Sequence, residues 1–503
     1  MSVTENPSFV AASERKQRGN ELLGEGHFLE AAAEYLQGVS LLKSAFDNTP
    51  ETDDAQVRRL AAVLYANTAA ARISSETLGS AYADAKCAIA ADDSYAKGHY
   101  RAAMAALGLC KYKEAERHMH ATCVRDPKNR VMRAKYAEVK KLRKRIEFEA
   151  AIAVEDAHPF KDLTLPLPIG KDALPNQPFL EGPDSAITAD FVMQLVAWVR
   201  DDKRIDKYTA LRILTEVRPI LRGEPTLVEW AHSDSPSAPH VTLCGDVHGQ
   251  LFDFLHIFDK NGFPSESNPY LFNGDFVDRG SWSVEIILLL FAWKVVFPKQ
   301  MLLNRGNHET KRMNQIYGFF GEVKAKLGES VQDLFADLFQ ALPLATVLTE
   351  ARVFICHGGL FSMDGVMLSD VAKLDRFSEP PDSGIFCDLL WADPAPDGET
   401  GRLPSPRGTS VQFGQDVTHD FCDRNNLKAV VRSHQVRDDG FTVEHGSKLI
   451  TIFSAPNYCD NQGNKAAFIN CKADGEMKFT QFEAQPHPNT RPMAYASMGM
   501  GMF

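Results

Sequence analysis

Hydrophobic residues in the first 150 positions recur at helical spacing, as in Ala31, Tyr35 and Leu42 or Ala81, Ala85 and Ala88. The same stretch is rich in Ala, Leu, Glu, Lys and Tyr and nearly free of proline, which predicts an all-helical domain. Six prolines then fall within 159–185, too many for a helix or a central strand, and predict an extended, semi-rigid connector. Beyond it the pattern changes. Phe191, Leu195, Trp198, Leu211 and Leu214 mark apolar helix faces, and short β-rich runs then alternate with helical ones. Val241–Cys244, Tyr270–Phe272, Met301–Leu303, Val353–Cys356, Ala429–Arg432 and 449–453 predict the buried strands of an α/β domain.

The helical half repeats itself. Asn67 and Arg101 are 34 residues apart, as are Ala81 and Ala115; Ala31 and Ala81 are 50 apart, which is 34 plus a 16-residue insertion bearing an acidic stretch at 47–54. Thirty-four is the tetratricopeptide period. Small residues are needed where paired helices touch, met by Ala31, Ala81 and Ala115, and Asp126-Pro127 supplies a stop. The consensus Trp is absent, so an unrelated Ala-rich bundle is the competing reading. The charged run within 134–158 predicts a long solvated helix capping the repeats.

At 503 residues the chain has room for about three domains, and 44% apolar with 24% charged residues describes a folded globular protein rather than a disordered, collagenous or disulfide-scaffold one. Nine cysteines, an odd number with no C-x-x-C pair, suit reduced thiols in the cytoplasm, with the nucleus as a second compartment, and write no zinc finger. The polar start predicts no secretory signal, and the longest apolar run, 286–293, is far short of the roughly 20 residues that span a bilayer. A net charge of −11 argues against nucleic acid as the partner. The charge is uneven: residues 1–150 carry 23 Lys and Arg against 20 Asp and Glu, the remainder 32 against 46.

Polar motifs follow the predicted strands: GDVHG at 245–249, GDFVDRG at 274–280, RGNHE at 305–309, CHGG at 356–359 and RSHQ at 432–435. Each sets Asp, Asn or His beside Gly or Arg. Imidazole and carboxylate ligands suit Mn, Fe or Zn, and the glycines let several strand ends converge. A two-metal site with Asp275 as bridging ligand accounts for the set economically. A cysteine-nucleophile phosphatase is excluded, because no cysteine has Arg six residues on.

These motifs, together with PDSGIFCDLLWADP at 381–394 and SAPNYCD at 454–460, resemble the phosphoprotein phosphatase family of metal-dependent serine/threonine phosphatases over roughly 190–490. With the repeats ahead of them, the chain looks like the tetratricopeptide-bearing branch of that family. The resemblance implies two divalent metal ions (Mn, or Fe/Zn), one on Asp246, His248 and Asp275 and the other on Asp275, Asn307, His357 and His434. It implies hydrolysis of phosphoserine and phosphothreonine by attack of a metal-bridging hydroxide. His308, oriented by Asp278, would protonate the leaving oxygen, while Arg279, Arg407, Asn307 and Tyr458 would hold the phosphate. Departures are Asn304, where the family usually has Leu, and Lys311-Arg312 in place of a more acidic stretch; either would shift pH optimum or substrate preference.

The repeats, by the same resemblance, form a carboxylate clamp from Lys16, Asn20, Asn67, Lys97 and Arg101 for the acidic C-terminal tail of a 90-kDa heat-shock chaperone. They would also restrain the catalytic cleft until a peptide or a fatty acid releases it, with Glu76 facing Arg279 and Tyr458. The tail would form a short helix in the restrained form, which Gly499 and Gly501 disfavour by roughly 1 kcal/mol each. The expected fold is a multidomain chain: an all-α tetratricopeptide superhelix (1–133), the capping helix (134–158), the linker (159–185), an α/β metallophosphoesterase β-sandwich flanked by helices (186–490) and a tail (491–503). Two alternatives remain at this point, a small-molecule metallophosphoesterase such as a dinucleotide hydrolase and a catalytically silent co-chaperone scaffold.

Overall fold

The computed structural model describes residues 5–46, 55–152 and 185–496, with 159, 160, 163, 165 and 180 between them. The acidic stretch at 47–54, most of the proline-rich linker and the tail from 497, including Gly499 and Gly501, lie outside the described residues. Two compact units emerge: the described parts of Met1–Ala157 together with Ser405–Thr409, and those of His158–Pro404 with Ser410–Gly501.

The first unit is helical: α1 (Pro7–Gly24), α2 (Phe28–Phe46), α3 (Ala55–Ser74), α4 (Leu78–Ala91), α5 (Ala96–Gly108), α6 (Tyr112–Arg125) and α7 (Arg130–Ile152). Consecutive helices pack on each other, and α3 also packs on α5. Ala31, Ala81 and Ala115 are wholly buried, because only a small side chain lets paired helices approach there. The last helix begins four residues before its expected start, since the Asn129 side chain accepts from Met132 N at 3.2 Å just past Pro127.

In the second unit, α8 (Ala189–Arg200) and α9 (Lys207–Gly223) start at Thr188 and Asp206, whose side chains accept from Phe191 N and Thr209 N. Strands follow: β1 (Leu227–Trp230), β2 (Val241–Cys244), β3 (Tyr270–Phe272), β4 (Met301–Leu303), β5 (Ala345–Leu348), β6 (Val353–Cys356), β7 (Asp393–Pro394), β8 (Arg402–Pro404), β9 (Val411–Phe413), β10 (Ala429–Arg432), β11 (Phe441–Glu444), β12 (Leu449–Ile452), β13 (Ala466–Cys471) and β14 (Met477–Phe482). One sheet runs β1-β5-β6-β10-β12-β11, a second β14-β13-β2-β3-β4, and a small third β7-β9-β8. All six predicted strands are present. Their apolar inner faces, among them Leu243, Leu271, Leu302, Ile355, Val431 and Ile450, share one core between the two large sheets.

Helices cover the outer faces. The apolar run 286–293 lies in α11 (Ser283–Val296), after α10 (Leu251–Asn261), and its residues are almost wholly buried with α8 and α9 against the second sheet. Among the described residues no helix is long and apolar enough to cross a membrane. The architecture is an N-terminal helical repeat region followed by an α/β sandwich flanked by helices.

Candidate active site

Strand direction gathers the motifs. β2, β3 and β4 are parallel, as are β6, β10 and β12, so the residues following each group leave one edge of its sheet together. Asp246 and His248 follow β2, Asp275 follows β3, Asn307 and His308 follow β4, His357 follows β6 and His434 follows β10. An isolated bridge between Asp246 and Phe453 joins the two sheets there. The turns are tight: His248, Asp275, Asp278, Arg279 and His434 all have positive φ, at 40°, 53°, 69°, 69° and 71°. Each such residue costs about 1–3 kcal/mol, and their concentration at one place marks a site that the fold holds under strain. Gly274, with φ of 88°, has no room for a Cβ, which would stand 2.6 Å from Gly306 Cα and 2.8 Å from His357 Nδ1.

The imidazoles are locked in one tautomer. His248 Nδ1 is 3.0 Å from the Val277 carbonyl and His357 Nδ1 is 2.8 Å from the Asn273 carbonyl. A carbonyl only accepts, so each Nδ1 carries the proton and each Nε2 presents a lone pair. Those lone pairs face oxygen: Asp275 Oδ2 lies 3.4 Å from His248 Nε2 and 3.3 Å from His357 Nε2, and Asn307 Oδ1 is 2.8 Å from the latter. His434 Nδ1 is 3.2 Å from His357 Nε2. The Asp275 oxygen can only accept, so two imidazole lone pairs turned toward it repel it unless a cation lies among them, and the residues fit divalent metal ions. Ligand atoms of His248, Asp275 and His308 lie within 4.8 Å of one another, as do those of Asp275, His357 and His434, and Asp275 is common to both groups. Asp246 completes the cluster, with Oδ2 3.8 Å from His248 Nε2 and Oδ1 3.9 Å from His357 Nδ1.

Crowded acids answer to the same logic. Burial, and then the neighbouring Asp275 carboxylate, push Asp246 up to about 7 and Glu309 up to about 8, while burial holds His357 below its ordinary value. Burial also lifts Asp278 to about 7, against hydrogen bonds from Phe319 N and Asn314 Nδ2.

Beside the cluster, His308 Nδ1 and Asp278 Oδ2 are 2.9 Å apart, both residues buried. The Arg279 guanidinium lies 4.0 Å from the centre of the Tyr317 ring, and that ring is 5.2 Å from the His308 ring. Tyr458 is buried with its ring 5.2 Å from that of His248. Arg407 groups with the first unit, where its Nη1 is 3.7 Å from Glu76 Oε2; Glu76, φ 61°, occupies the turn between α3 and α4. Also in the first unit, Lys16 and Asn20 lie on α1, Asn67 on α3, and Lys97 and Arg101 on α5, and Asn67 Nδ2 donates to Asn20 Oδ1 at 3.2 Å. Lys311 and Arg312 form ion pairs with Asp333 and Asp382 at 3.0 Å each.

Sequence reasoning passed over four residues here: Glu309, Tyr317, Asn314 and Asn273. Glu309 stood inside the quoted RGNHE motif, yet a carboxylate whose partners are backbone amides leaves no trace in a search for metal ligands. Tyr317 and Asn314, on the helix Lys311–Tyr317, act through contacts that only the fold creates.

Fold and site together define a metal-dependent phosphoesterase. Residues 239–438 match the family described as calcineurin-like phosphoesterase, and residues 136–229 match the one described as PPP5 TPR repeat region. The chain is 43% identical over 493 residues to Serine/threonine-protein phosphatase 5 of Homo sapiens, covering 97% of this chain and 95% of that protein. It is 42% identical over 495 residues to Serine/threonine-protein phosphatase T of Trypanosoma brucei brucei, covering 98% and 99%. A solved protein serine/threonine phosphatase from Saccharomyces cerevisiae, described as similar to human phosphatase PP5, superposes with a TM-score of 0.57 at 41% identity, over 61% of this chain and 99% of that one. The chain belongs to the serine/threonine-protein phosphatase 5/T family, and it is an enzyme, a protein serine/threonine phosphatase with an N-terminal repeat region. Family membership favours this reading over both the small-molecule phosphoesterase and the silent scaffold.

Proposed function

We infer that the second unit hydrolyses phosphoserine and phosphothreonine at the cluster centred on Asp275, while the repeat unit both addresses and restrains it. The observation that carries the catalytic reading is Asp275, common to two ligand groups, with the His308–Asp278 pair beside them. Asp246, His248 and Asp275 would hold one divalent ion, and Asp275, Asn307, His357 and His434 the other. Bound there, such ions neutralise phosphoryl oxygens and lower the pKa of water.

The remaining work falls to side chains. His308, with Nδ1 engaged by Asp278, keeps Nε2 as the atom that gives a proton to the departing serine or threonine oxygen. The Asp278 carboxylate fixes that ring and stabilises its charged form. Arg279, packed over the Tyr317 ring, would offer two N–H donors to phosphate oxygens, with Tyr458 and Asn307 as further phosphate contacts.

Restraint is supported within the first unit, where Arg407 meets the Glu76 carboxylate and the Gly79 and Ser80 amides donate to the carbonyls of Arg407 and Pro406 at 3.1 and 3.0 Å. Release by a fatty acid or by the acidic tail of a 90-kDa heat-shock chaperone, the latter seated on the Lys16, Asn20, Asn67, Lys97 and Arg101 face, completes the reading. The scattered unbridged cysteines support a cytoplasmic and nuclear setting. The test is phosphate release from a phosphoserine peptide in Mn²⁺, comparing residues 1–503 with a chain starting near Glu181 and with Glu76→Ala. Faster turnover is expected from both; equal rates would reduce the repeats to an address.

A further inference from the structure

A polar network crosses the otherwise apolar space between the two large sheets, and Asn304 is its hub. Asn304 follows β4 and is completely buried. Its Nδ2 donates to Asn273 Oδ1 at 2.9 Å and to the Ile355 carbonyl at 3.2 Å, and its Oδ1 accepts from Thr346 Oγ1 at 2.8 Å. Asn273, following β3, in turn donates from Nδ2 to the Cys356 carbonyl at 2.7 Å and to Ser433 Oγ at 3.0 Å. Asn273, Thr346 and Ser433 are as deeply buried as Asn304.

The network ends on the metal-ligand candidates. The carbonyl of Asn273 is the acceptor that fixes the His357 ring through Nδ1, and the amide of Ser433 donates to the His357 carbonyl at 3.0 Å. Ser433 precedes His434, Asn273 stands two residues before Asp275, and Asn304 three before Asn307. Both amide groups have their donors and acceptors matched, so the orientation of Asn273 is set by partners on both sheets. A buried amide network that is fully satisfied holds one arrangement, whereas a single deletion leaves several groups unpaired in a low-dielectric space.

We propose that Asn304 is a positioning residue for the divalent-ion site: through Asn273 and Ser433 it holds His357 and His434 in ligating orientation. This rests on the reading of those histidines as ligands. Asn304→Leu keeps the volume and removes the amide, stranding Asn273 Oδ1, the Ile355 carbonyl and the Thr346 hydroxyl. Thr346→Val removes only the hydroxyl that orients the Asn304 amide.

The experiment is Mn²⁺ binding to the chelator-stripped full chain by titration calorimetry, with the melting temperature of each metal-free variant measured alongside. The variants are Asn304→Leu, Thr346→Val, His357→Ala, and Val323→Ala as a buried core change outside the network. Asn304→Leu is expected to weaken Mn²⁺ binding about tenfold, the scale of lost support behind a metal-ligating histidine, and Thr346→Val by less. Val323→Ala is expected to lower the melting temperature and leave Mn²⁺ affinity unchanged. Wild-type affinity in both network variants would overturn the proposal, as would an equal loss of affinity in Val323→Ala at matched destabilisation. Should Asn304→Leu fail to fold, Thr346→Val decides in the same way. Unchanged binding by His357→Ala would instead sink the ligand reading and the proposal with it; weakened binding there beside intact binding in the network variants would sink the proposal alone.

Discussion

The Glu309 carboxylate accepts the Asp275 amide at 2.7 Å, and with the same oxygen the Gly306 amide at 2.9 Å. Its other oxygen takes the Phe276 amide at 2.9 Å. One side chain therefore ties the loop after β3 to the loop after β4, and both carry ligand candidates.

Above the raised Glu309 pKa of about 8, where the side chain is a carboxylate, Glu309→Gln should break that tie at one end, because a carboxamide has a single acceptor oxygen and its NH₂ would face an N–H. The expected loss is about 1–3 kcal/mol for a buried donor left unmatched, with turnover falling alongside. All five tryptophans lie at 198, 230, 282, 293 and 391, so urea unfolding followed by tryptophan fluorescence reads the second unit alone. An unchanged transition would mean that the amides find other acceptors.

If His308 protonates the leaving oxygen, its removal should matter most where the leaving group is most basic. His308→Ala is expected to lower kcat on a phosphoserine peptide by about 10²–10⁴ and to have far less effect on p-nitrophenyl phosphate, whose phenolate departs without a proton. Asp278→Asn should show the same bias in milder form. Equal losses on both substrates would assign His308 to binding rather than to proton transfer.

Much of this was legible in the sequence, for identifiable reasons. Central strands such as Val353–Cys356 and Ala429–Arg432 are buried on both faces and read as apolar runs, the second closing on a buried Arg432, so their limits show in the sequence. Met477–Phe482 at the rim of its sheet is only partly buried for most of its length and carries the exposed Lys478 and Gln481, which hides it from the same test. Ligand candidates stood out because chemistry restricts them to His, Asp and Asn beside Gly. Support residues stayed invisible, since Asn273 and Glu309 owe their roles to distant partners or to backbone amides, and Tyr317 owes its role to the distant Arg279. Asn304 was visible only as a departure from pattern, without its partners Thr346 and Ile355.

The repeat unit should show a pH dependence traceable to Asp84. Burial pushes its carboxyl up to about 6, only partly offset by Arg72, whose Nη1 donates to Oδ2 at 2.6 Å. A folded value above the ordinary 3.8 means that the folded state binds the proton more tightly. The resulting stabilisation is complete below about pH 4 and is lost as pH rises through 6, to the extent of about 2 kcal/mol once partial solvent access is allowed for. Hydrogen exchange of α3 and α4 in the full chain, corrected for intrinsic rates, should therefore slow from pH 7 to pH 5. In Asp84→Asn, which keeps an acceptor for Arg72, that slope should flatten; a slope identical to wild type would assign the effect to another group.

The clamp reading makes a prediction that separates charge from shape. Lys97 and Arg101 stand one helical turn apart on α5, which packs on α3, and Asn67 on α3 is hydrogen-bonded to Asn20 on α1, so the five residues lie on three neighbouring helices. Burial holds the Arg101 guanidinium below its ordinary pKa, a penalty that an incoming carboxylate would reverse. A peptide with a free acidic C-terminus should bind the full chain, and Lys97→Ala or Arg101→Ala should each weaken it about tenfold, the scale of a hydrogen bond to a charged group. Amidating the terminal carboxylate of the same peptide should do likewise, and raising ionic strength should weaken all of these complexes together. Fluorescence anisotropy decides the matter: if the amidated peptide binds as well as the free acid, the face recognises side chains and not a terminus, and the five residues are no clamp.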